Sequence, residues 1–259
     1  MTALGLSDEL LGAFMPVVVY WVYSGMYMAF GSCDNYRLHP KQEEDEKNLV
    51  SKRTVIKGVL LIQFLQVTAA ILLYMVIGGN DAGASAAQPS SFIVIARQFI
   101  VAMVVLDTYQ YFLHRYIHHN KFLYRHLHSR HHRLVVPYTF GAIYNHPLEA
   151  FIFDTVGGAL AFVVSGMSPR ASIFFFSFGT IKSVDDHCGI LLPGNPFHFF
   201  FRNNTAFHDL HHQLYGGKYN FSQPFFVMWD RILGTYMPYS LEKRGGGFQL
   251  RPGKTCKDN

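Results

Sequence analysis

The chain has 259 residues, half of them hydrophobic and only 15% charged, which is typical of a multi-pass membrane protein rather than a soluble enzyme. The net charge of +5 comes from basic residues spread along the chain, so it does not indicate a nucleic-acid surface. The three cysteines, Cys33, Cys188 and Cys256, are far apart and predict neither a disulfide framework nor a cysteine-based zinc site.

Three apolar segments lie in the first half of the chain. Residues 10–30 and 58–77 carry no charge, and each is long enough to cross a hydrocarbon core of ~30 Å as a helix. Residues 92–113 form the third segment, which carries Arg97 and Asp107. We therefore predict three membrane-spanning helices before the first histidine-rich stretch.

The distribution of basic residues between the loops predicts the orientation. Residues 32–54 contain five Lys or Arg, whereas residues 78–91 contain none. Because cytoplasmic loops carry an excess of Lys and Arg, we expect the first loop to be cytosolic, and the second loop and the N-terminus to be lumenal. The third segment then returns to the cytosolic side and delivers His114 there.

A further apolar region follows in two parts, residues 148–166 and residues 171–181. We expect these parts to enter the membrane and return on the cytosolic side, as a spanning or partly inserted hairpin. Asp154 lies inside the first part, and since a carboxylate that faces lipid is costly, it should face the protein interior. From residue 185 to the end, the chain is predicted to be cytosolic.

Three histidine clusters carry the chemical signal. Their spacings are His114-x3-His118, His128-x2-His131-His132 and His208-x2-His211-His212. Side chains three or four residues apart share one face of a helix, so three helical segments can bring eight imidazoles into one space. A catalytic zinc takes about three protein ligands and a structural zinc about four, so eight imidazoles fit two octahedral-type ions better than one ion.

Other metal chemistries fit the sequence less well. The His-Glu-x-x-His motif of zinc proteases is absent, and no Glu is followed three residues later by His, as in carboxylate di-iron bundles. An all-nitrogen dinuclear site beside membrane helices is best suited to activating dioxygen against an unactivated C–H bond of a lipid. A metal transporter and a non-catalytic scaffold are the alternatives, although a transporter should place its ligands at mid-membrane on broken helices.

The three clusters resemble the histidine boxes of the fatty acid hydroxylase superfamily, over residues from about 95 to 238. Further stretches narrow the resemblance to plant sphingoid base C4-hydroxylases: Ser7-Asp-Glu-Leu-Leu11, Tyr144-Asn-His-Pro-Leu-Glu149, Gly166-Met-Ser-Pro-Arg170, Val184-Asp-Asp-His-Cys-Gly189 and residues 225–238. The resemblance implies two Fe ions held by the eight box histidines and by one histidine between the second and third boxes. These implied ligands are His114, His118, His128, His131, His132, His187, His208, His211 and His212.

The resemblance also implies an activity, partners and a location. The reaction would use O2 to hydroxylate C4 of sphinganine, free or within dihydroceramide, giving phytosphingosine-type bases. Electrons would pass from NAD(P)H through a reductase and cytochrome b5 at the endoplasmic reticulum membrane. The chain lacks a His-Pro-Gly-Gly haem motif, so cytochrome b5 should be a separate protein. Self-association, or association with enzymes of ceramide synthesis, is compatible with the resemblance, and a sterol desaturase or sterol C4-methyl oxidase is the alternative within the superfamily.

The predicted fold class is all-α: a multi-pass helical membrane protein with a cytosolic, histidine-rich di-metal cap. Residues 1–259 are expected to form a single hydroxylase unit, in which an N-terminal transmembrane hairpin of residues 1–90 precedes a catalytic domain of residues 91–259. Asp107 lies two helical turns before His114 and is expected to orient an imidazole. Whether His146 or His198 joins the metal site stays open.

Overall fold

The structure, a computed structural model, describes residues 7–29, 34–78 and 91–254. The predicted lumenal loop at 78–91 falls almost entirely outside these residues. Helices dominate the described chain, as predicted. They are α1 (Asp8–Ala29), α2 (Lys41–Lys47), α3 (Lys52–Gly78), α4 (Phe92–His119), α5 (Lys121–His126), α6 (Pro147–Ala150), α7 (Gly157–Ser165), α8 (Pro169–Asp186), α9 (Pro196–Phe200), α10 (Thr205–His212) and α11 (Met228–Ile232). Short 3-10 helices form at Asp34–Tyr36, His128–Arg133 and Thr139–Gly141, and a π-helical turn at Phe151–Val156 joins α6 to α7.

Four helices among the described residues are long and apolar enough to cross a membrane. They are Asp8–Ala29, Lys52–Val76, Phe92–His119 and Pro147–Ser165. Large apolar side chains on the first three remain exposed, including Val22 and Phe64, each 68% exposed, and Ile100, 61% exposed. Exposed apolar surface on this scale is costly in water and favourable in lipid. The prediction of a multi-pass membrane protein is therefore confirmed.

The two parts of the later apolar region differ. Residues Pro147–Ser165 can span a membrane, whereas α8 is shorter and less apolar and is not among the four candidate spans. Gly166, in the left-handed conformation at φ 65°, ends α7, and the Ser168 side chain then caps α8 at Ala171 N–H. This tight connection folds α8 back along α1, while α7 packs along α4.

Two apolar clusters hold these helices together. One includes Tyr20 of α1, Val59 of α3 and Val184 of α8, and the other includes Ala102 of α4 and Phe175 of α8. All five side chains are buried. Burial of one large apolar side chain contributes about 1.5–3 kcal/mol, so these clusters supply much of the stability that fixes the helix ends.

The segment between α1 and α3 packs against the histidine-rich region. Leu49 N–H donates to the carbonyl of Arg133 at 2.8 Å, and the Asn48 amide makes hydrogen bonds to both backbone groups of Val136. His39 Nε2 lies 3.0 Å from an Asp209 carboxylate oxygen in α10. The basic loop and the histidine clusters therefore lie on the same side of the spanning helices.

One element was not predicted. Residues Tyr239–Arg244 and Gly247–Pro252 form antiparallel strands β1 and β2, paired from Tyr239 with Pro252 to Arg244 with Gly247. The strands are mostly exposed, so the hairpin adds little to the core. It does close against the loop before α2, because Phe248 N–H donates to the Arg37 carbonyl at 2.8 Å.

Candidate metal centre

Three local structures deliver the box histidines. The long helix α4, capped at its start by the Ser91 side chain, carries His114 and His118 in its last two turns. The second box was predicted to be α-helical, but it forms the 3-10 helix His128–Arg133. The third box lies on α10, whose N-terminus is capped by the Asn204 side chain at the N–H groups of Ala206 and Phe207.

All nine predicted residues fall into two groups with converging nitrogens. Within each group, one ring nitrogen of each histidine lies within 4.8 Å of the corresponding nitrogens of the others. The first group, which we call the five-histidine group, consists of His114, His118, His128, His132 and His211. The second, the four-histidine group, consists of His131, His187, His208 and His212. Each group has enough imidazoles for one metal ion with a position left for another ligand.

The second and third boxes exchange one residue each. His128 and His132 stay together, whereas His131 joins the third box in the four-histidine group. In the same way, His211 leaves the third box and joins the five-histidine group. Residues four apart therefore stay together, and the histidine between them crosses to the other group.

Acceptors on the outer side fix the tautomer of the rings. Carbonyl oxygens accept from Nδ1–H of His114 (Phe221, 2.8 Å), His187 (Ser183, 2.8 Å), His211 (Tyr219, 2.7 Å) and His212 (Leu134, 2.8 Å). A carbonyl can only accept a hydrogen bond, so the proton of each neutral ring must sit on Nδ1. The lone pair is then on Nε2, which points inward.

These inward lone pairs meet at close range. His114 Nε2 lies 3.0 Å from Nε2 of His128, whose Nδ1 contacts the Glu149 carboxylate. His187 Nε2 lies 3.4 Å from Nε2 of His131, whose Nδ1 bonds to the Tyr144 carbonyl. Two lone pairs facing each other repel, and His211 Nε2 is buried with no hydrogen-bond partner. A cation between the nitrogens would turn this repulsion into coordination, so the donor set fits two metal ions.

Burial keeps the rings neutral. Loss of solvent lowers the pKa of His131 and His211 to about 4 and that of His187 to about 3. These imidazoles therefore carry no proton on their inward nitrogen at neutral pH, which is the form that binds a metal.

A carboxylate that was not among the predicted site residues contacts the second box. Glu149 in α6 is 2% exposed and makes a short contact to His128 Nδ1. Since carboxylate–histidine pairs raise the basicity of a ligating ring, Glu149 is placed to strengthen His128 as a donor. Glu149 belongs to the stretch Tyr144–Glu149, which contributed to the family resemblance. Its position in the sequence does not predict a contact with His128.

We expect Glu149→Gln to weaken metal retention while the fold stays intact. The amide keeps the size of the side chain and removes its negative charge, and loss of such outer partners costs about 10- to 100-fold in metal affinity. Competition with a chelator, followed by metal analysis of the protein, measures the change. Glu46→Gln in α2 is the matched control, and equal chelator resistance of both variants would contradict this role.

Asp107 does not orient an imidazole, so that prediction was wrong. Its carboxylate is buried and accepts the backbone N–H groups of Phe225 (3.1 Å) and Phe226 (2.5 Å). His146 caps α6 at Leu148 N–H and belongs to neither histidine group. His198 lies 3.2 Å from Asp185 in a separate cluster with Cys188, so it also lies outside the two groups.

A cavity of about 670 Å³ opens beside the two groups. His128, His131, His187 and His208 form part of its wall. Helices α1, α3, α4, α6, α7 and α8 and the π-helical turn also contribute to the wall. On α3 the lining runs from residue 63 to residue 76, which at 1.5 Å per residue is roughly 20 Å. The volume is in the range of small-molecule sites, and the elongated, largely apolar shape suits a single lipid chain.

The fold and the site together define a class: a multi-pass helical membrane protein with two largely buried histidine groups beside a lipid-sized cavity. A family model described as fatty acid hydroxylase matches residues 99–235. The chain belongs to the fatty acid hydroxylase family, as its three boxes predicted.

Several relatives match nearly the whole chain. It is 67% identical to sphinganine C4-monooxygenase 2 of Arabidopsis thaliana, over 100% of both chains. It is 58% identical to a very-long-chain aldehyde decarbonylase of Oryza sativa subsp. japonica, over 95% of this chain and 96% of the relative. It is 42% identical to a sphingolipid C4-hydroxylase of Schizosaccharomyces pombe, over 86% of each. No solved structure matches the chain.

Proposed function

We propose that the chain is a membrane di-iron monooxygenase that hydroxylates C4 of sphinganine. The observation that carries the proposal is the convergence of nine imidazoles, seven of them buried, beside a lipid-sized cavity. Full-length similarity to a sphinganine C4-monooxygenase supports the substrate. In this proposal the five-histidine group and the four-histidine group each hold one Fe ion.

The irons, when bound, would supply reductive activation of dioxygen against an aliphatic C–H bond. The protein's part is to hold the ligands rigidly and to keep the site dry. Backbone carbonyls such as those of Phe221 and Leu134 lock the ring orientations, and the apolar cavity excludes water from the substrate chain. Rigid ligands and a fixed substrate direct the oxidation to one carbon of the substrate.

The same proposal includes location and electron supply. The basic loop lies on the same side as the histidines, which supports a cytosolic face for both under the positive-inside rule. There, cytochrome b5 and its reductase would deliver electrons from NAD(P)H at the endoplasmic reticulum membrane. Arg130 and Arg133 are placed to steer an acidic carrier toward this face. Residues 1–259 would act as one unit, because the cavity takes its wall from both the N-terminal helices and the histidine region.

A second candidate is aldehyde decarbonylation, the activity for which the rice relative is named. An aldehyde offers a single acceptor oxygen, whereas the cavity wall near the histidines presents the carboxylates of Glu149 and Asp154. Carboxylates accept hydrogen bonds and attract cations, so this wall fits an amino diol better than an aldehyde.

Expression in cells that lack trihydroxy sphingoid bases tests the function. We expect phytosphingosine to appear in lipid profiles by mass spectrometry, and His208→Ala to abolish it at equal protein level. New alkanes with unchanged sphingolipids would favour decarbonylation. Altered sterols with unchanged sphingolipids would favour the sterol-oxidising alternative, and either result would overturn the proposal.

A further inference from the structure

The wall of the cavity carries an ionisable residue at membrane depth. Asp154 lies inside the candidate span Pro147–Ser165 and lines the cavity, so the prediction that it faces the protein interior is confirmed. It sits on the π-helical turn Phe151–Val156, an uncommon conformation that is frequent at functional sites. An ionisable side chain inside a span is costly and normally has a specific partner.

The described protein supplies Asp154 with neutral partners. Gln66 Nε2 donates to one carboxylate oxygen at 3.2 Å, and Gln110 Nε2 lies 3.5 Å from the other. Among the described residues, no Lys, Arg or His forms an ion pair with Asp154. Two amides can hold and orient a carboxylate, but they do not neutralise it.

A second carboxylate points into the same space. One oxygen of Glu149 contacts His128, and its other oxygen is buried without a hydrogen-bond partner. Glu149 also lines the cavity, five residues before Asp154 in the chain. This wall therefore has an unused buried acceptor and two acidic side chains, and it faces a cavity rather than a basic residue of the protein. A ligand with a positive charge and several N–H donors would satisfy both features.

We propose that Asp154, held by Gln66 and Gln110, binds the ammonium group at C2 of a free sphingoid base and so places C4 beside the histidine groups. This inference rests on the proposed function and assigns the substrate as the free base rather than its N-acyl form. An N-acyl form has a neutral amide and a second chain, which neither the acidic wall nor a cavity for a single chain accommodates.

The geometry agrees with the chemistry. C2 and C4 are separated by one carbon, so a group that binds the C2 ammonium must lie near the metal centre. Asp154, Glu149 and His128 line the same cavity, and Glu149, five residues before Asp154, contacts His128. The alkyl chain would then extend along the apolar residues of α1 and α3, away from the histidines.

Binding by the purified, iron-loaded full chain tests the assignment without requiring turnover. In the wild type, we expect octadecylamine to displace labelled sphinganine at a concentration at least about tenfold below that of octadecanol, which has the same tail and no charge. In Asp154→Asn, the affinity for sphinganine should fall about 10- to 100-fold and the preference for the amine should disappear. Asp45→Asn, an exposed carboxylate in α2, is the matched control and should bind as the wild type does.

Equal displacement by amine and alcohol in the wild type would overturn the inference, even if Asp154→Asn did not fold. Unchanged sphinganine affinity in a folded Asp154→Asn would overturn it as well. Failure of the proposed function is distinguishable: lipid profiles would then lack phytosphingosine, while Asp154-dependent binding of the cationic chain would persist. If only the role of Asp154 were contradicted, the wild-type protein would still form phytosphingosine.

Discussion

Alanine at His131 or at His211 should abolish turnover, and each substitution should remove a different metal ion. His131 belongs to the four-histidine group and His211 to the five-histidine group, although their neighbours in sequence belong to the opposite groups. We expect a loss of activity of at least about 100-fold, since even outer partners of a metal ligand cost 10- to 100-fold. Metal analysis should give about two ions per chain in the wild type and about one in either variant.

The double variant should bind almost no iron, because each change opens one of the two groups. His126→Ala is the matched control, since His126 is exposed and its Nδ1 bonds to the Phe122 carbonyl within its own helix. Full activity in His131→Ala or His211→Ala would remove that residue from the site. Loss of the same ion from both variants would contradict the division into two groups.

Replacement of Asp230 by alanine should cause the largest loss of stability outside the histidines. The side chain is fully buried and accepts hydrogen bonds from Phe221 N–H (3.0 Å), Ser222 N–H (2.7 Å) and Thr235 Oγ1–H (2.6 Å). Alanine leaves the two buried N–H groups without this partner, and each such donor costs about 1–3 kcal/mol, whereas the Thr235 hydroxyl keeps a contact to the Tyr111 hydroxyl at 2.8 Å. The Phe221 carbonyl also accepts from His114, so the histidine groups should be disturbed with it.

We expect the free energy of unfolding to fall by roughly 3–5 kcal/mol, and Tm by roughly 10 °C, with lower iron content. Thermal unfolding of the purified protein in detergent measures the first two, and metal analysis the third. Glu242→Ala on β1 is the control, because Glu242 is half exposed and pairs with Arg251 across the hairpin. Such surface pairs contribute about 0–1 kcal/mol. Equal Tm values for Asp230→Ala and Glu242→Ala would contradict the predicted contribution of Asp230 to stability.

The parts of the fold that follow from local composition were predictable. Uncharged stretches of sufficient length gave the spans at residues 10–30 and 58–77, since only a helix satisfies its own backbone in lipid. The hairpin at Tyr239–Pro252 was missed, although Gly245 and Gly246 form the two-residue Gly-Gly connection that is a known hairpin signal. Its exposed strands lack the apolar alternation that would have identified them.

The histidines of the site were predictable from the sequence, but their division into two groups was not. Spacing and resemblance brought together the nine histidines that converge in the structure, and their role as iron ligands stays a prediction. The partition of His131 and His211 depends on a 3-10 turn and on contacts between distant segments, which spacing does not encode. Asp107 shares a helical stripe with His114, but seven residues separate them by roughly 10 Å along the axis. The backbone N–H groups of Phe225 and Phe226 lie nearer to the carboxylate and donate to it.

The exchange of one histidine between the second and third boxes has a consequence for biosynthesis. A nascent chain extended as far as residue 132 already contains four members of the five-histidine group, but only His131 of the other group. On the proposed ligand assignment, the first iron could be captured while the ribosome is still translating the rest of the chain. The second iron must wait until residue 212 has emerged and α10 has folded back.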